Sequence, residues 1–194
     1  VSQHLNDFNI HLGFELVFHP LDCSRTESIY EDERLTIETL PLKHRVPTCG
    51  FLFREKPRPR NLYPEMIKKY NIPLRDLKAL KEGADWQSPG GELVPNSLIT
   101  YARHRPASFA YCSDTAYTES FLGKIKNVDV LYHEATYDES LQQLARETMH
   151  STARQAAELA RKARAGKLIL GHFSARYKDT AVLLEEAMKL FPNT

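Results

Sequence analysis

The second half of the sequence alternates strand-like and helix-like segments, and this alternation constrains the fold more than any other feature. Strands are predicted in "SFAYCS", "VDVLYHE" and "KLILGH". Helices are predicted in "TESFLGKIKN", "DESLQQLARET", "STARQAAELARKARAG" and "DTAVLLEEAMKLF". Strands that alternate with helices favour a parallel sheet, because parallel strands need a long crossover connection. Residues 107–194 are therefore predicted to form a layered α/β unit.

The first 53 residues show a different pattern. Apolar and polar residues alternate in "FNIHLGFELVFHPL", "LTIETLPL" and "TCGFLFREK", which is typical of half-buried strands. The intervening "RTESIYEDE" is charged and is interpreted as a turn region. We expect several antiparallel strands here, which continue the same domain as residues 107–194.

Residues 54–106 are rich in proline and glycine and are predicted to form an inserted arm. Two short helices are expected, "YPEMIKKYNI" with Pro64 in its first turn and "PLRDLKALKEG" ended by Gly83, followed by a turn at "SPGGE". A segment this long inside a compact domain is interpreted as a protruding helical arm or a long functional insertion. Its composition alone fits a solvated surface loop equally well.

Composition excludes some classes of protein and leaves others open. The 194 residues carry a formal net charge of +1, so any nucleic-acid partner must meet a local basic patch. No apolar run approaches the roughly 20 residues that span a bilayer, and no secretory pattern is present at the start. The three cysteines form no CxxC pair. We expect a cytoplasmic protein with no membrane partner.

Each predicted strand of the second half ends at, or is followed by, side chains that can act as acids, bases or metal ligands. Asp114 follows "FAYCS", His133 and Glu134 end "VDVLY", and His172 follows "KLILG". The crevice outside the carboxyl ends of parallel strands is where ligands bind in layered α/β proteins. Taken singly, Asp114 is more readily explained as a helix cap, and His172 as a core or turn histidine.

Two further histidines stand at the ends of predicted elements. His150 precedes a capping box made by Thr152 and Gln155, so it lies just outside a helix N-terminus, where a phosphate is favoured. His44 lies between two predicted strands. Histidine and aspartate are preferred zinc ligands, but three residues cannot fill the shells of two ions. The pattern alone thus indicates a polar, metal-related rim on one edge of the sheet.

Five segments occur in one order over nearly the whole chain: "PLKHRVPTCGFLFREK", "YCSDTAYTESF", "VLYHEATYDES", "MHSTARQAAELARKA" and "LILGHFSARY". They resemble successive motifs of ribonuclease Z, the endonuclease family of the metallo-β-lactamase superfamily that matures tRNA 3′ ends. The resemblance implies a four-layer αβ/βα sandwich with two Zn²⁺ ions per active site. It also implies precursor tRNA as the substrate, metal-activated hydrolysis of a phosphodiester, and a homodimer.

The resemblance assigns roles to the residues of the predicted rim. His44 and His172 are similar to histidine ligands of the two ions, and Asp114 to the carboxylate that bridges them. His150 resembles the residue that stabilises the phosphate or protonates the leaving oxygen, and Glu134 resembles the carboxylate that orients it. Contacts with the phosphate or the RNA are expected from three further residues, Ser151, Ser174 and Arg176.

The resemblance also gives the inserted arm a role, since it falls where bacterial members carry an arm that grips tRNA. The arm residues expected to contact RNA are Lys68, Lys69, Arg75, Lys78 and Lys81. The family's HxHxDH motif, however, occurs nowhere in the sequence. The chain is therefore expected to be the C-terminal two-thirds of a ribonuclease Z, without the first strands of the sandwich, and inactive by itself. Alternatives are a non-catalytic RNA-binding remnant, or another phosphodiesterase or arylsulfatase-type hydrolase of the same fold.

Overall fold

The computed structural model describes residues 7, 8 and 12–194. The strands in chain order are β1 (Ser28–Glu31), β2 (Leu35–Pro41), β3 (Cys49–Glu55), β4 (Asn61–Leu62), β5 (Trp86–Gln87), β6 (Leu93–Val94), β7 (Thr100–Tyr101), β8 (Ser108–Cys112), β9 (Val130–Glu134) and β10 (Lys167–Gly171). The α-helices are α1 (Pro64–Lys69), α2 (Leu77–Lys81), α3 (Asn96–Ile99), α4 (Gln142–Thr148), α5 (Ala153–Ala163) and α6 (Ala181–Met188). Short 3₁₀ turns at Leu74–Asp76 and Glu139–Leu141 lead into α2 and α4.

The main sheet has six strands in the order β1-β2-β3-β8-β9-β10. The pairs from β1 to β8 are antiparallel, whereas β8 with β9 and β9 with β10 are parallel. This arrangement confirms the antiparallel strands predicted in "LTIETLPL" and "TCGFLFREK" and the three parallel strands predicted in the second half. The carboxyl ends of β8, β9 and β10 consequently meet at one edge.

The prediction was wrong in the stretch before the sheet. Residues 12–21 form no strand, and the predicted strand's residues 9–11 lie outside the described part of the chain. Phe14 and Phe18 are 66% and 58% exposed, because these residues have no strand partner among those described. The charged region interpreted as a turn instead contains β1, whose four residues are all exposed.

The segment "TESFLGKIKN" is also different from its prediction, since it forms successive turns rather than a helix. Leu122 N–H donates to the Glu119 carbonyl and Lys124 N–H to the Phe121 carbonyl, at 3.0 and 2.9 Å. Gly123 disfavours a helix at this point. Burial of Phe121 and Ile125 in the core fixes the turns in place of a helix.

Helices cover one face of the main sheet. Six residues of α5 are buried there, five of them alanines, and α6 packs beside α5. The opposite face carries Phe53, Phe109, Val130 and Ile169, which line an apolar depression of about 450 Å³. The described residues thus form two of the four layers expected from the resemblance, one sheet and one layer of helices.

The inserted arm leaves the sheet between β3 and β8 and has a small core of its own. Its buried apolar residues are Ile72, Leu80, Trp86, Val94 and Ile99. As predicted, Pro64 begins α1, and Gly83 takes a φ of +105° after α2. None of the helices in the part of the chain that the structure describes has the length and apolarity to span a bilayer.

Candidate functional site

Three strand ends bring functional side chains together at one edge of the sheet, as predicted. Glu134 is the last residue of β9, while Asp114 and His172 lie two and one residues beyond β8 and β10. His150 joins them from the segment before α5. One ligand atom from each of Asp114, Glu134, His150 and His172 lies within 4.8 Å of those of the others.

Glu134 is fully buried and receives a hydrogen bond at every lone-pair position of its carboxylate. Thr115 N–H and His150 Nδ1 approach Oε1 at 2.5 and 2.9 Å. Ser151 N–H and the Thr136 hydroxyl approach Oε2 at 3.0 and 2.5 Å. A buried carboxylate is stable only when it is paired and hydrogen-bonded in this way. Glu134 therefore ties three chain segments into one unit.

His150 is held between Glu134 and two other histidine rings. Its Nδ1 lies against Glu134, which leaves Nε2 as the nitrogen free for other contacts. The ring stacks on His172 with centroids 5.2 Å apart and lies 5.1 Å from the ring of His44. Its position directly before α5 is the one predicted, and the Thr152–Gln155 capping box is present.

His44 is next to the four-residue group but is not a member of it. Its Nδ1 lies 3.0 Å from the carbonyl oxygen of Met149. A carbonyl can only accept, so Nδ1 carries the proton and the lone pair of neutral His44 is on Nε2. The ring is thus prepared to act as a ligand through Nε2, although the described donor atoms do not converge around it.

His172 is contacted at both ring nitrogens. Nε2 lies 2.8 Å from Asp114 Oδ1, and Nδ1 lies 2.9 Å from the Thr136 hydroxyl. An imidazole lone pair and a carboxylate oxygen at 2.8 Å repel each other unless a proton or a metal ion lies between them. Asp114 and His172 therefore make a pair suited to a shared cation, in agreement with the ligand types that zinc prefers.

The backbone around the site is strained. Asp114, Met149 and His172 have φ values of +34°, +61° and +57°, a region that costs non-glycine residues of the order of 1 kcal/mol or more each. Gly171 precedes His172 because a Cβ there would lie 2.1 Å from the Tyr132 hydroxyl oxygen. Burial raises the pKa of the Tyr132 phenol, and the charge of Asp114 adds to the shift.

The residues expected to touch RNA beside the site fall into two groups. Ser151 is fully buried, and its hydroxyl donates to the Thr115 carbonyl at 2.7 Å, so its side chain is not exposed to solvent. Arg176 is exposed and lies 5.0 Å over the Tyr137 ring, with Nε donating to Ser174 Oγ at 3.1 Å. Ser174 and Arg176 thus remain able to meet a phosphate.

The inserted arm carries the positive charge of the molecule. Residues 54–106 contain eleven Lys or Arg and six Asp or Glu, a net charge of +5, whereas the remaining residues contain fifteen and nineteen, a net charge of −4. Its five residues predicted to contact RNA are all exposed: Lys68, Lys69, Arg75, Lys78 and Lys81. A positively charged surface is therefore present on the arm despite the near-neutral total.

Three site residues were missed by sequence reasoning. Thr115 and Thr136 donate to Glu134, and Tyr137 lies against His150 with ring centroids 6.4 Å apart. Threonine in "HEAT" gives no signal of its own, because a hydroxyl is equally common in a turn. His133, by contrast, points away from the site into the core and is 1% exposed.

Comparisons with known proteins identify similar sequences and folds. A model of the β-lactamase superfamily domain matches residues 97–173. The ribonuclease Z of Phocaeicola vulgatus is 47% identical over 194 residues, which is 100% of this chain and 63% of that protein. The ribonuclease Z of Bacteroides fragilis is 44% identical over 190 residues, 98% of this chain and 62% of that protein.

The chain is homologous to ribonuclease Z along its whole length. Identity of this level across the entire chain, including the segments that hold Asp114, Glu134, His150 and His172, supports the assignment. The crystal structure of the metallo-β-lactamase fold protein YhfI from Bacillus subtilis is 18% identical and has a TM-score of 0.53, with 89% of this chain and 49% of that chain covered. It shares the fold. The chain spans a little over three-fifths of the length of these ribonuclease Z relatives.

Proposed function

We propose that this chain is the larger part of a zinc-dependent endoribonuclease that removes 3′ trailers from precursor tRNA by hydrolysing a phosphodiester bond. The observation that carries the proposal is the convergence of two carboxylates and two imidazoles within 4.8 Å at the sheet edge. The relatives named ribonuclease Z support the same activity.

Asp114 and His172 are the residues of this site that fit a zinc ion. Their facing ring nitrogen and carboxylate oxygen, 2.8 Å apart, must have a proton or a metal ion between them. Zinc bound there would act as a Lewis acid on a phosphoryl oxygen. His44, prepared as an Nε2 donor by Met149, is proposed as a third ligand from the same chain.

His150 and Glu134 are proposed to handle the proton and the developing charge. Glu134 accepts from Nδ1 of His150, which fixes the orientation of the ring and directs Nε2 away from Glu134. When the ring is protonated, its Nε2–H can donate to a phosphate oxygen or protonate the leaving oxygen. Arg176, held over Tyr137, is proposed to hold the scissile phosphate region beside it.

The arm is proposed to bind the body of the tRNA through its lysines and arginines. Its separate core keeps α1 and α2 in place, and their basic residues point to solvent. Each phosphate contact releases counterions, so binding should weaken as salt rises.

The decisive experiment measures trailer removal by a full-length ribonuclease Z that contains this chain. H150A should lower kcat by about 100-fold or more, the usual range for a general acid, while the zinc content is unchanged. H104A is the matched control, because His104 lies at the root of the arm against Glu55. Equal losses of zinc and activity in H150A would place His150 inside the metal shell and contradict its proposed role.

The 194-residue chain alone is proposed to be inactive, since the HxHxDH ligands are not in its sequence. Zinc-dependent cleavage by a mass-verified preparation of these residues would overturn this part of the proposal.

A second candidate, RNA binding without catalysis, is favoured by the net charge of +5 on the arm. Weak, salt-sensitive tRNA binding by the 194 residues, lost on replacing Lys68, Lys69, Lys78 and Lys81 by alanine, is expected under both candidates. Only trailer cleavage by the full-length protein separates them.

The compartment and the oligomer stay predictions. Cys23, Cys49 and Cys112 are all free, which fits the reducing cytoplasm proposed for the protein. The proposed homodimer would be seen as a doubled mass of the full-length protein by light scattering.

A further inference from the structure

A polar pocket of about 430 Å³ lies at the root of the inserted arm. Among the described residues it is lined by Arg58, Pro59, Asn61, Arg103 and His104, and this lining contains no Asp or Glu. Its volume is within the range of roughly 300–1,000 Å³ that is typical of ligand sites. None of these residues belongs to the four-residue group at the sheet edge or to the basic helices α1 and α2.

Two arginines are the groups of this pocket that are available to an anion. Arg58 and Arg103 are exposed, and neither makes an ion pair or a hydrogen bond with another residue that the structure describes. His104 is already engaged, since its Nε2 lies 2.6 Å from Glu55 Oε2. Guanidinium groups match the geometry of phosphate oxygens and bind them through parallel hydrogen bonds. The two arginines therefore suit a phosphodiester.

An aromatic surface continues the pocket along one face of the β4–β7 strand pair. Asn61 of the pocket lies opposite Tyr101, and side chains that are opposite each other in a strand pair share a face. Tyr63, two residues beyond Asn61, is on the same face, and its ring centroid lies 4.7 Å from that of Tyr101. Tyr101 is still 38% exposed. It therefore offers a supported ring on which a further aromatic group can stack.

We propose that the arm root binds an unpaired nucleotide of RNA, with its base stacked on Tyr101 and its phosphate between Arg58 and Arg103. Proteins bind single-stranded nucleic acid by combining positive charge with aromatic side chains, because every base has an aromatic face. A base inside a duplex is already stacked on its neighbours, and removing it costs free energy. An unpaired segment therefore fits this surface better than a duplex does.

The proposed nucleotide site is separate from the metal-related rim. His104 contacts Glu55, the last residue of β3, at the end of the sheet where β8 begins. Asp114 lies beyond the other end of β8, and a strand of five residues spans about 17 Å. An RNA that reached both places would be held at two points. This purpose rests on the proposed function, but nucleotide binding can be measured without cleavage.

The stacking contact is tested with the 194-residue chain and an oligouridylate of about eight residues, whose dissociation constant is measured by NMR titration. Y101A should weaken binding by about fivefold or more, the lower end of the effect of removing one stacking partner. Y101L keeps apolar bulk against Tyr63 but has no aromatic face, so it should weaken binding as much. Y101F should bind like wild type. Y30A, which removes an exposed tyrosine from β1, is the control and should change nothing.

The salt dependence of the same binding tests the arginines. In R58A/R103A the slope of log K against log[salt] should decrease by about 1 or more, because each phosphate contact with a single strand contributes roughly 0.7. R161A/K189A removes the same charge from exposed positions in the helical layer and should leave the slope unchanged. An unchanged slope in R58A/R103A would refute the phosphate contact.

Inorganic phosphate is titrated in parallel to separate a nucleotide site from a simple anion site. Equal oligouridylate binding by wild type, Y101A and Y101L would overturn the inference, even if inorganic phosphate bound to the two arginines. Failure of the full-length protein to remove trailers would instead count against the proposed function alone, since oligouridylate binding by the 194 residues does not depend on cleavage.

Discussion

Replacing Glu134 by glutamine should destabilise the fold, even though the two side chains have the same shape. Each carboxylate oxygen accepts one backbone N–H, from Thr115 at Oε1 and from Ser151 at Oε2. The amide of glutamine has one oxygen and one NH₂ group. Whichever way it is turned, the NH₂ group faces a buried backbone N–H.

The size of the effect follows from those contacts. The hydroxyl of Thr136 can rotate and His150 can exchange its ring proton, but a backbone N–H cannot become an acceptor. A buried donor without a partner costs about 1–3 kcal/mol, and the remaining bonds lose their charge assistance. We expect E134Q to lower the free energy of unfolding by about 2–4 kcal/mol, a large part of the 5–15 kcal/mol typical of a domain.

Urea unfolding followed by far-UV circular dichroism measures this loss in the 194-residue chain. The midpoint should fall while the slope with urea is unchanged, which shows that stability and not compactness has changed. E147Q is the control, because Glu147 is exposed on α4 and accepts a hydrogen bond from Gln143 on the same helix. It should stay within about 0.5 kcal/mol of wild type. If the free energy of unfolding of E134Q also stayed this close to that of wild type, the carboxylate would not be the group that joins the three segments.

Two further predictions concern the core. G50A should lower the free energy of unfolding in urea by more than about 2 kcal/mol, because its Cβ would lie 2.4 Å from the Tyr111 carbonyl oxygen. G123A, which has open space around its Cβ, should lower it only slightly. Similar losses in the two variants would refute this. Burial lowers the pKa of His133, whose Nε2 has no hydrogen-bond partner among the described atoms. As the pH falls, the unfolded chain therefore binds a proton at this histidine before the folded chain does. Wild-type stability should therefore fall as pH drops below about 6.5, by up to about 1.4 kcal/mol per unit from this group, and H133L should fall less steeply; parallel curves would contradict the assignment.

The layered order of the sheet was predictable from local patterns. The parallel strands β8, β9 and β10 follow from alternation of strands and helices, and the capping box at Thr152 follows from residue types three positions apart. These features depend on neighbours in sequence, so periodicity and capping preferences carry the information. The failed strand at 12–21 and the failed helix near Gly123 are segments whose outcome depends on partners distant in sequence.

The residue types at the rim and their meeting at one edge were thus determined by the sequence, because parallel neighbouring strands deliver their carboxyl ends together. Tertiary structure decided which of these residues are buried, which are exposed and which contact one another. Only the folded chain separates buried Ser151 from exposed Arg176, turns His133 into the core, and brings the Thr136 hydroxyl between Glu134 and His172. Donors, acceptors and tautomers are set by distances of about 3 Å between segments far apart in the chain, and local sequence patterns do not encode such distances.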